Sequence, residues 1–366
     1  MTLRDEGSFD DAWERIGPDS LGILGACATV MRDTREVTID HGAIDLLADR
    51  LVATDVEAPP WDAELHFRGS GPDGDEQTAG WIFVLDALNF CFWGLGHDSD
   101  PGARWRIEHH GEHVNGYSAL AIALTRAAEA GIPLWSPAWL AEVNSETLGT
   151  VILRPAQGSP PIPLLIERVA HLRELAAGLA LARPDGDLIR SPRPFSTLIE
   201  GCQGSAITLV ETIVALFPSF NDVAIWTPPN DPDRPLTLRF LKRAQILVSD
   251  LAGAVEGTSL GAFHDRNELT AFADYKVPQV LRRFGVLGYA PSLVDRLHRR
   301  ELILAGSRTE IEIRAATIWA CELIRQALAD RGLILAATAI DWLLWNAGQD
   351  LPSDREPYHR TVTIFY

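Results

Sequence analysis

The chain has 366 residues, with 50 Asp and Glu against 32 Lys and Arg, and a formal net charge of −18. Phosphate binding depends on cationic side chains that displace counterions, so this balance speaks against a general nucleic-acid binder and against docking on an anionic membrane leaflet. With 46% hydrophobic and 22% charged residues, and eleven Trp, the chain is not disordered, and its length predicts two domains or one large one with a sizeable core.

The segment MTLRDEGSFDD at residues 1–11 has no apolar h-region, so no signal peptide is expected. Amphipathic periodicity predicts helices over 19–33 and 41–53. Residues 55–77 are rich in Pro and Gly and predict loop around one short strand, 63–68. Residues 78–94 predict a helix so apolar and aromatic that it should be central. A turn at 100–102 precedes a second strand, 104–110. Further helices are predicted over 114–130, 136–150, 163–182, 194–217, 237–256, 267–285, 291–304, 309–331 and 335–347, and a closing strand over 361–366. The Pro-rich stretches 155–163 and 227–235 read as linkers. The sum is a mostly α protein, a multi-helix bundle with a few short strands. Residues 1–77 are expected as N-terminal helices and a strand packed on a helical domain over 78–366. Strands do not alternate with helices, which excludes a doubly wound sheet. No Gly-x-Gly-x-x-Gly follows a strand and no Walker loop occurs, which leaves no support for a nicotinamide or ATP cofactor.

Cys27, Cys91, Cys202 and Cys321 are scattered without C-x-x-C spacing and read as reduced core residues of a cytoplasmic protein. His109 and His113 stand at i, i+4, but the sequence between them holds a Gly and lacks the His-Glu-x-x-His pattern, so no metal is expected. No nucleophile elbow occurs. In WIFVLDALNFCFW (81–93), Asp86, Asn89 and Trp93 share one helical face. Polar groups in such apolar text need partners, either a buried Asp–Asn network or a planar base hydrogen-bonded at its edge and stacked on rings. Lys242, Gln245 and Ser249 form a stripe that is either a solvated face or a functional one. Asp274, just ahead of Pro278, is either a helix cap or a partly desolvated catalytic carboxylate. Glu312, Trp319 and Glu322 fall on one stripe of a later helix.

Taken together and in order, FVLDALNFCFW (83–93), KRAQILVSD (242–250), FADYKVPQ (272–279), EIR (312–314) with Trp319 and Glu322, and HRT (359–361) before a final Phe-Tyr resemble the queuosine salvage protein family. The resemblance runs from about residue 80 to the C-terminus. It implies hydrolysis of the N-glycosidic bond of queuosine 5′-monophosphate, giving queuine and ribose 5-phosphate. It also implies a helical fold similar to helix-hairpin-helix DNA glycosylases. Those enzymes carry their catalytic Asp after the hairpin, whereas Asp274 precedes Gly285-x-x-Gly288, so the function does not rest on the hairpin.

On this resemblance Asp274 is the carboxylate that stabilises the ribosyl cation, by attack on C1′ or by activating water, and Lys242 its catalytic partner. Lys242 would hold Asp274 ionised, bind the 5′-phosphate or assist the leaving base. Asp86, Glu312, Glu322 and Asp341 are candidates for the cationic amine and diol of queuine. Asn89 is the candidate for the base edge. Phe90, Phe92, Trp93, Trp319 and Trp345 are candidates for stacking, and His113, Tyr275, Lys276 and Arg360 for ribose or phosphate. The expected ligand is one small nucleotide, with no stable nucleic acid, membrane, cofactor or metal, bound by a monomer. The rival readings are a hydrolase that prefers the nucleoside or another 7-deazapurine nucleotide, a non-catalytic nucleic-acid scaffold, and a queuine carrier.

Overall fold

Helices carry most of the chain in the computed structural model, which describes residues 12–54, 56–57, 61, 65–93, 104–181, 191–349 and 356–366. In chain order the first elements are α1 (Ile23–Asp33), β1 (Val37–Ile39), α2 (His41–Ala53), α3 (Gly74–Leu88), β2 (Arg106–His109), β3 (Glu112–Asn115), α4 (Gly116–Glu129) and α5 (Pro137–Glu142). A π-helical stretch (Thr147–Ile152) leads to α6 (Leu165–Leu181), α7 (Pro194–Gly201), α8 (Ala206–Leu216), β4 (Val223–Trp226), β5 (Leu236–Arg239) and α9 (Lys242–Ala254). The last elements are α10 (Lys276–Arg283), β6 (Leu287–Tyr289), α11 (Pro291–His298), α12 (Arg308–Asp330) and α13 (Ala337–Gln349). Among the described residues no helix is long and apolar enough to cross a membrane. All four cysteines are free and buried.

The chain divides into two compact units, each made of three separate stretches. The first comprises Met1–Pro59, Val223–Phe240 and Asn267–Thr361. Its axis is α12, buried along most of its length and packed against α1, α2 and α13. Val37, Leu47, Val280, Leu281, Ile313, Ile324, Leu328 and Leu344 belong to one continuous apolar core. The antiparallel pair β1–β6 sets Thr38 opposite Gly288, where a Cβ would lie 2.6 Å from the Thr38 hydroxyl and force that side chain to shift.

The second unit comprises Pro60–Asp222, Leu241–Arg266 and Val362–Tyr366. Its axis is α3, which is buried from Thr78 to Leu88 and packs against α9, α6 and α7. The predicted helix over 78–94 therefore exists, but it begins at Gly74 and ends at Leu88. Its end is fixed by side chains that take the carbonyls a helix C-terminus leaves orphaned. Arg243 Nη1 donates to the carbonyls of Asp86 and Ala87, both at 2.9 Å. Arg168 donates to the carbonyls of Leu88, Phe90 and Cys91. Both guanidiniums also lie over the Phe90 ring, at 4.2 Å for Arg168 and 5.2 Å for Arg243. His171 Nδ1 lies 3.1 Å from the Ala87 carbonyl, which makes Nδ1 the protonated nitrogen.

Other differences from the sequence reading have local causes. The stretch 194–217 splits because Gln203 and Gly204 adopt left-handed φ of 54° and 74°, after which Ser205 caps α8 by accepting from the Thr208 N–H. The start of 237–256 is strand: β5 pairs with β4, so 227–235 is a hairpin loop and not a linker. The predicted strand 104–110 exists as β2, but it turns at His110 and Gly111 into β3 and delays the next helix to Gly116. The expected helix 136–150 stops at Glu142 and is followed by the π-helical stretch. Helices expected over 267–285 and 291–304 shrink to α10 and α11. Residues 361–366 are not a strand, although Arg360 makes an isolated parallel bridge to Leu302. Of the strand expected at 63–68, residues 65–68 are irregular and 63–64 lie outside the described residues, as does the turn at 100–102.

Two predictions follow from the end of α3. Arg168→Met leaves three buried carbonyls without this donor, at about 1–3 kcal/mol each, so urea unfolding should show a loss of about 3 kcal/mol or more. Burial, with the charge of Arg243, pulls the His171 pKa from 6.5 to about 3. An imidazole held neutral contributes stability above its unfolded pKa and loses it as pH falls toward the folded value. The decline in unfolding free energy between about pH 7 and about pH 4 should therefore be shallower in His171→Phe than in the wild type.

Candidate active site

Each unit carries a buried polar cluster. In the second unit the cluster is built on α3 and α9. Asp86 is wholly buried; Asn89 Nδ2 donates to its Oδ1 at 3.3 Å, and Oδ2 has no hydrogen-bond partner among the described residues. Lys242 is buried at the first position of α9. It is placed there by Leu241, a non-glycine residue at φ 49°, and by Asp222, whose Oδ2 accepts from the Lys242 N–H at 3.3 Å. Gln245 is also buried, so the Lys242–Gln245–Ser249 stripe is not a solvated face.

Asp250, two turns beyond Lys242, completes this cluster. Burial pushes its pKa up to about 7 against the pull of hydrogen bonds from Trp61 and Tyr117 and of the Lys242 charge. Part of the residue's surface still meets solvent. The Tyr117 hydroxyl lies 3.5 Å from Asp250 Oδ2 and 2.7 Å from His66 Nε2. Asp86 is pushed well up by burial and then by the Asp250 charge, while Asn89, Lys242 and Arg243 oppose the shift. Two carboxyls, one wholly and one partly buried, thus feel the charge of the buried Lys242.

In the first unit the structure fixes three consecutive residues. Asp341 Oδ1 accepts from the Phe272 N–H at 2.9 Å. Arg314 Nε donates to the Ala273 carbonyl at 3.3 Å, while its guanidinium stacks 3.9 Å over Phe240 and pairs with Glu310. Asp274 Oδ1 accepts from the N–H groups of Lys276 and Val277, both at 2.8 Å. Asp274 thus holds the first N–H groups of α10 from the position before its N-cap, Tyr275, and is a buried carboxylate. Asp274, Asp341 and Glu322 all act on Cys321, whose thiol is pushed up by burial first and by these charges next. His359 is pulled down to about 3 by burial and by Arg314.

The remaining expected residues fall as follows. Glu312 is wholly buried, and its Oε2 accepts from the Thr34 hydroxyl and from the N–H groups of Arg35 and Glu36. Glu322 is held by Arg325 and Gln326. Trp319 lies in the apolar core of its unit. Tyr275 packs on Tyr358 at 4.9 Å, Lys276 Nζ donates to the Gly348 carbonyl at 3.2 Å, and Trp345 stacks on Trp342 at 5.2 Å. Arg360 is buried, and its carbonyl accepts from the Ile303 N–H. In the second unit Phe90 is enclosed by Arg168, Arg243 and His171. Phe92 stacks on Trp105 and Trp93 is buried, whereas His113 is exposed on β3. Asp274 and Lys242 belong to different units. Among the described residues no group of three or more His, Cys, Asp or Glu is arranged to hold a metal ion.

Residues 68–366 match the family described as queuosine salvage protein. The chain belongs to that family. It is 49% identical to the queuosine 5′-phosphate N-glycosylase/hydrolase of Sphaerobacter thermophilus over 95% of this chain and 98% of that one. It is 33% identical to the mouse protein of the same name, over 92% and 96% of the two chains. A third relative of that name, from Schizosaccharomyces pombe, is 35% identical over 75% and 76%.

Sequence reasoning passed over Asp250, Tyr117, His66, Arg168 and His171. Two of these had a signal. Asp250 continues the Lys242 stripe at i+8, and Arg168 opens the apolar stripe that runs through Leu172 and Leu175, where a charge needs a reason.

The bonds at the start of α10 make the capping reading of Asp274 testable. Asn retains the accepting oxygen and Ala does not, so thermal unfolding should show Asp274→Ala destabilised by about 1 kcal/mol and Asp274→Asn near wild type.

Proposed function

We propose that this protein hydrolyses the N-glycosidic bond of queuosine 5′-monophosphate and releases queuine and ribose 5-phosphate. The observation that carries the reading is the near full-length match to relatives named for that activity, the first at 49% identity. The ordered motifs and the two buried polar clusters support it.

The reaction separates the base from C1′ and leaves positive charge on the ribosyl ring, which a fixed carboxylate stabilises. Asp274 takes this role. Its Oδ1 is held by two backbone N–H groups and the preceding residues are clamped by Asp341 and Arg314, so the group is preorganised and need not reorient as charge develops. Lys242 is the second catalytic residue. A 7-deazapurine has carbon where guanine has N7, so leaving-group activation goes through the pyrimidine edge, for which Asn89 supplies an amide. Asp86 is the candidate for the cationic amine of the queuine arm. The net charge of −18 opposes intact tRNA, so the substrate is the free nucleotide. The likeness to helix-hairpin-helix glycosylases is part of the same proposal, supported by α10 and α11 flanking Gly285 and Gly288.

The test is release of queuine from the 5′-monophosphate, followed chromatographically beside the nucleoside. The wild type should favour the monophosphate, and equal rates would remove the phosphate from the reading. Asp274→Asn, correctly folded, should lose about a hundredfold or more in kcat. Lys242→Ala should raise KM if the ammonium binds phosphate and lower kcat if it serves the chemistry.

A further inference from the structure

We propose that Tyr366 is a positioning residue for Asn89: together with Arg168 it locks the turn that aims the Asn89 amide at the pyrimidine edge of the leaving base. The inference rests on the function proposed above, and on the part given there to Asn89, and adds a residue to it.

Asn89 leaves α3 at φ −82° and ψ 70°, and the Phe90 N–H donates back to the Leu88 carbonyl at 3.0 Å. These are the marks of an inverse γ-turn with Asn89 at its centre. Two residues on, Cys91 takes a left-handed φ of 34°. A side chain other than glycine is strained there, and it keeps that conformation only where its surroundings over-determine it.

Two segments far away in sequence do so. The Tyr366 carbonyl accepts from the Cys91 N–H at 2.9 Å, and Arg168 Nη2 donates to the Cys91 carbonyl at 2.8 Å. Both backbone polar groups of the strained residue are thus held. The same guanidinium takes the carbonyls of Leu88 and Phe90, while its Nε donates to the Pro163 carbonyl at 3.0 Å. Tyr366 is itself buried, so its ring anchors the carbonyl that meets Cys91. Residues 362–366 belong to the second unit, as do Asn89, Cys91 and Arg168. The Phe-Tyr pair at 365–366 therefore supports the unit that carries Asn89.

The turn matters because of the leaving group. Departure of a 7-deazapurine depends on hydrogen bonds to its pyrimidine edge that strengthen as negative charge builds on the base, and a donor helps most when its direction is already set. The Asn89 amide has two N–H hydrogens. One is directed to Asp86 Oδ1 at 3.3 Å, and the other serves the base. Releasing Cys91 from its strained conformation turns Asn89 away without removing any group from the site, so the loss falls on turnover.

The experiment is a double-mutant cycle on kcat for queuine release from queuosine 5′-monophosphate, using wild type, Asn89→Ala, Tyr366→Leu and the double variant, with folding checked by circular dichroism. Asn89→Ala should lower kcat about tenfold or more, and Tyr366→Leu should lower it about tenfold with little change in KM. In the Asn89→Ala background Tyr366→Leu should cost less than about threefold, because the residue it positions is gone. Equal losses in the two backgrounds mark a merely structural role and overturn the proposal. An unchanged kcat in folded Tyr366→Leu, or in Asn89→Ala, does the same. Amide hydrogen exchange on the wild type needs no variant: the Cys91 N–H should be as protected as the amides of α3, and rapid exchange there also overturns the proposal. A wild type that releases no queuine defeats the proposed function itself, an outcome distinct from additive losses in an active enzyme.

Discussion

The second unit depends on how one helix ends. The C-terminal carbonyls of α3 point into protein, where no water can satisfy them, and two buried guanidiniums and an imidazole take their place. The cost of burying two cations is offset by carbonyl dipoles and by the faces of Phe90 and Phe220. Because Arg168 also holds the carbonyls of Phe90 and Cys91, the chain past the helix is fixed as firmly as the helix itself. Asp86 and Asn89 sit on that end, so their orientation is inherited from the arginines.

The first unit reaches the same end by other means. There the fixed object is a non-helical stretch, and the clamps act on its backbone: an aspartate on one N–H, an arginine on one carbonyl, and Asp274 on the helix that follows. In both units a buried carboxylate is oriented by hydrogen bonds from neighbouring amide or backbone N–H groups. A strongly acidic chain thus spends several of its few cations inside, on carbonyls and aromatic rings.

The helices were legible where periodicity is long and caps are explicit, as at 41–53 and 309–331, because local spacing decides which face is buried. They were misjudged where tertiary partners set the boundary. Leu88 ends α3 because Arg168 and Arg243, far away in sequence, receive its carbonyls, and nothing near residue 88 announces that. Asp274 was legible as a motif, and the structure bears on its capping reading, with one oxygen on the α10 N–H groups. Asp250 was missed because a charge at the end of an amphipathic stripe resembles an ordinary solvated residue, and only the approach of α3 makes it unusual. The strands β1 and β6 were invisible, since three-residue ladders between segments some 250 residues apart leave no local pattern.

The interleaving of the two units has a consequence for how the protein can be made and cut. Each unit takes its residues from three separate stretches, so neither exists as a continuous segment that could be expressed alone. The first unit draws on residues up to Thr361, and β1 finds its partner only after residue 287 has been synthesised. Its assembly therefore waits on nearly the whole chain leaving the ribosome, with α1 and α2 held meanwhile without their partner α12. Long-range pairing of this kind leaves apolar surface unpartnered until late in synthesis, and a stop before α12 would remove the axis of the first unit.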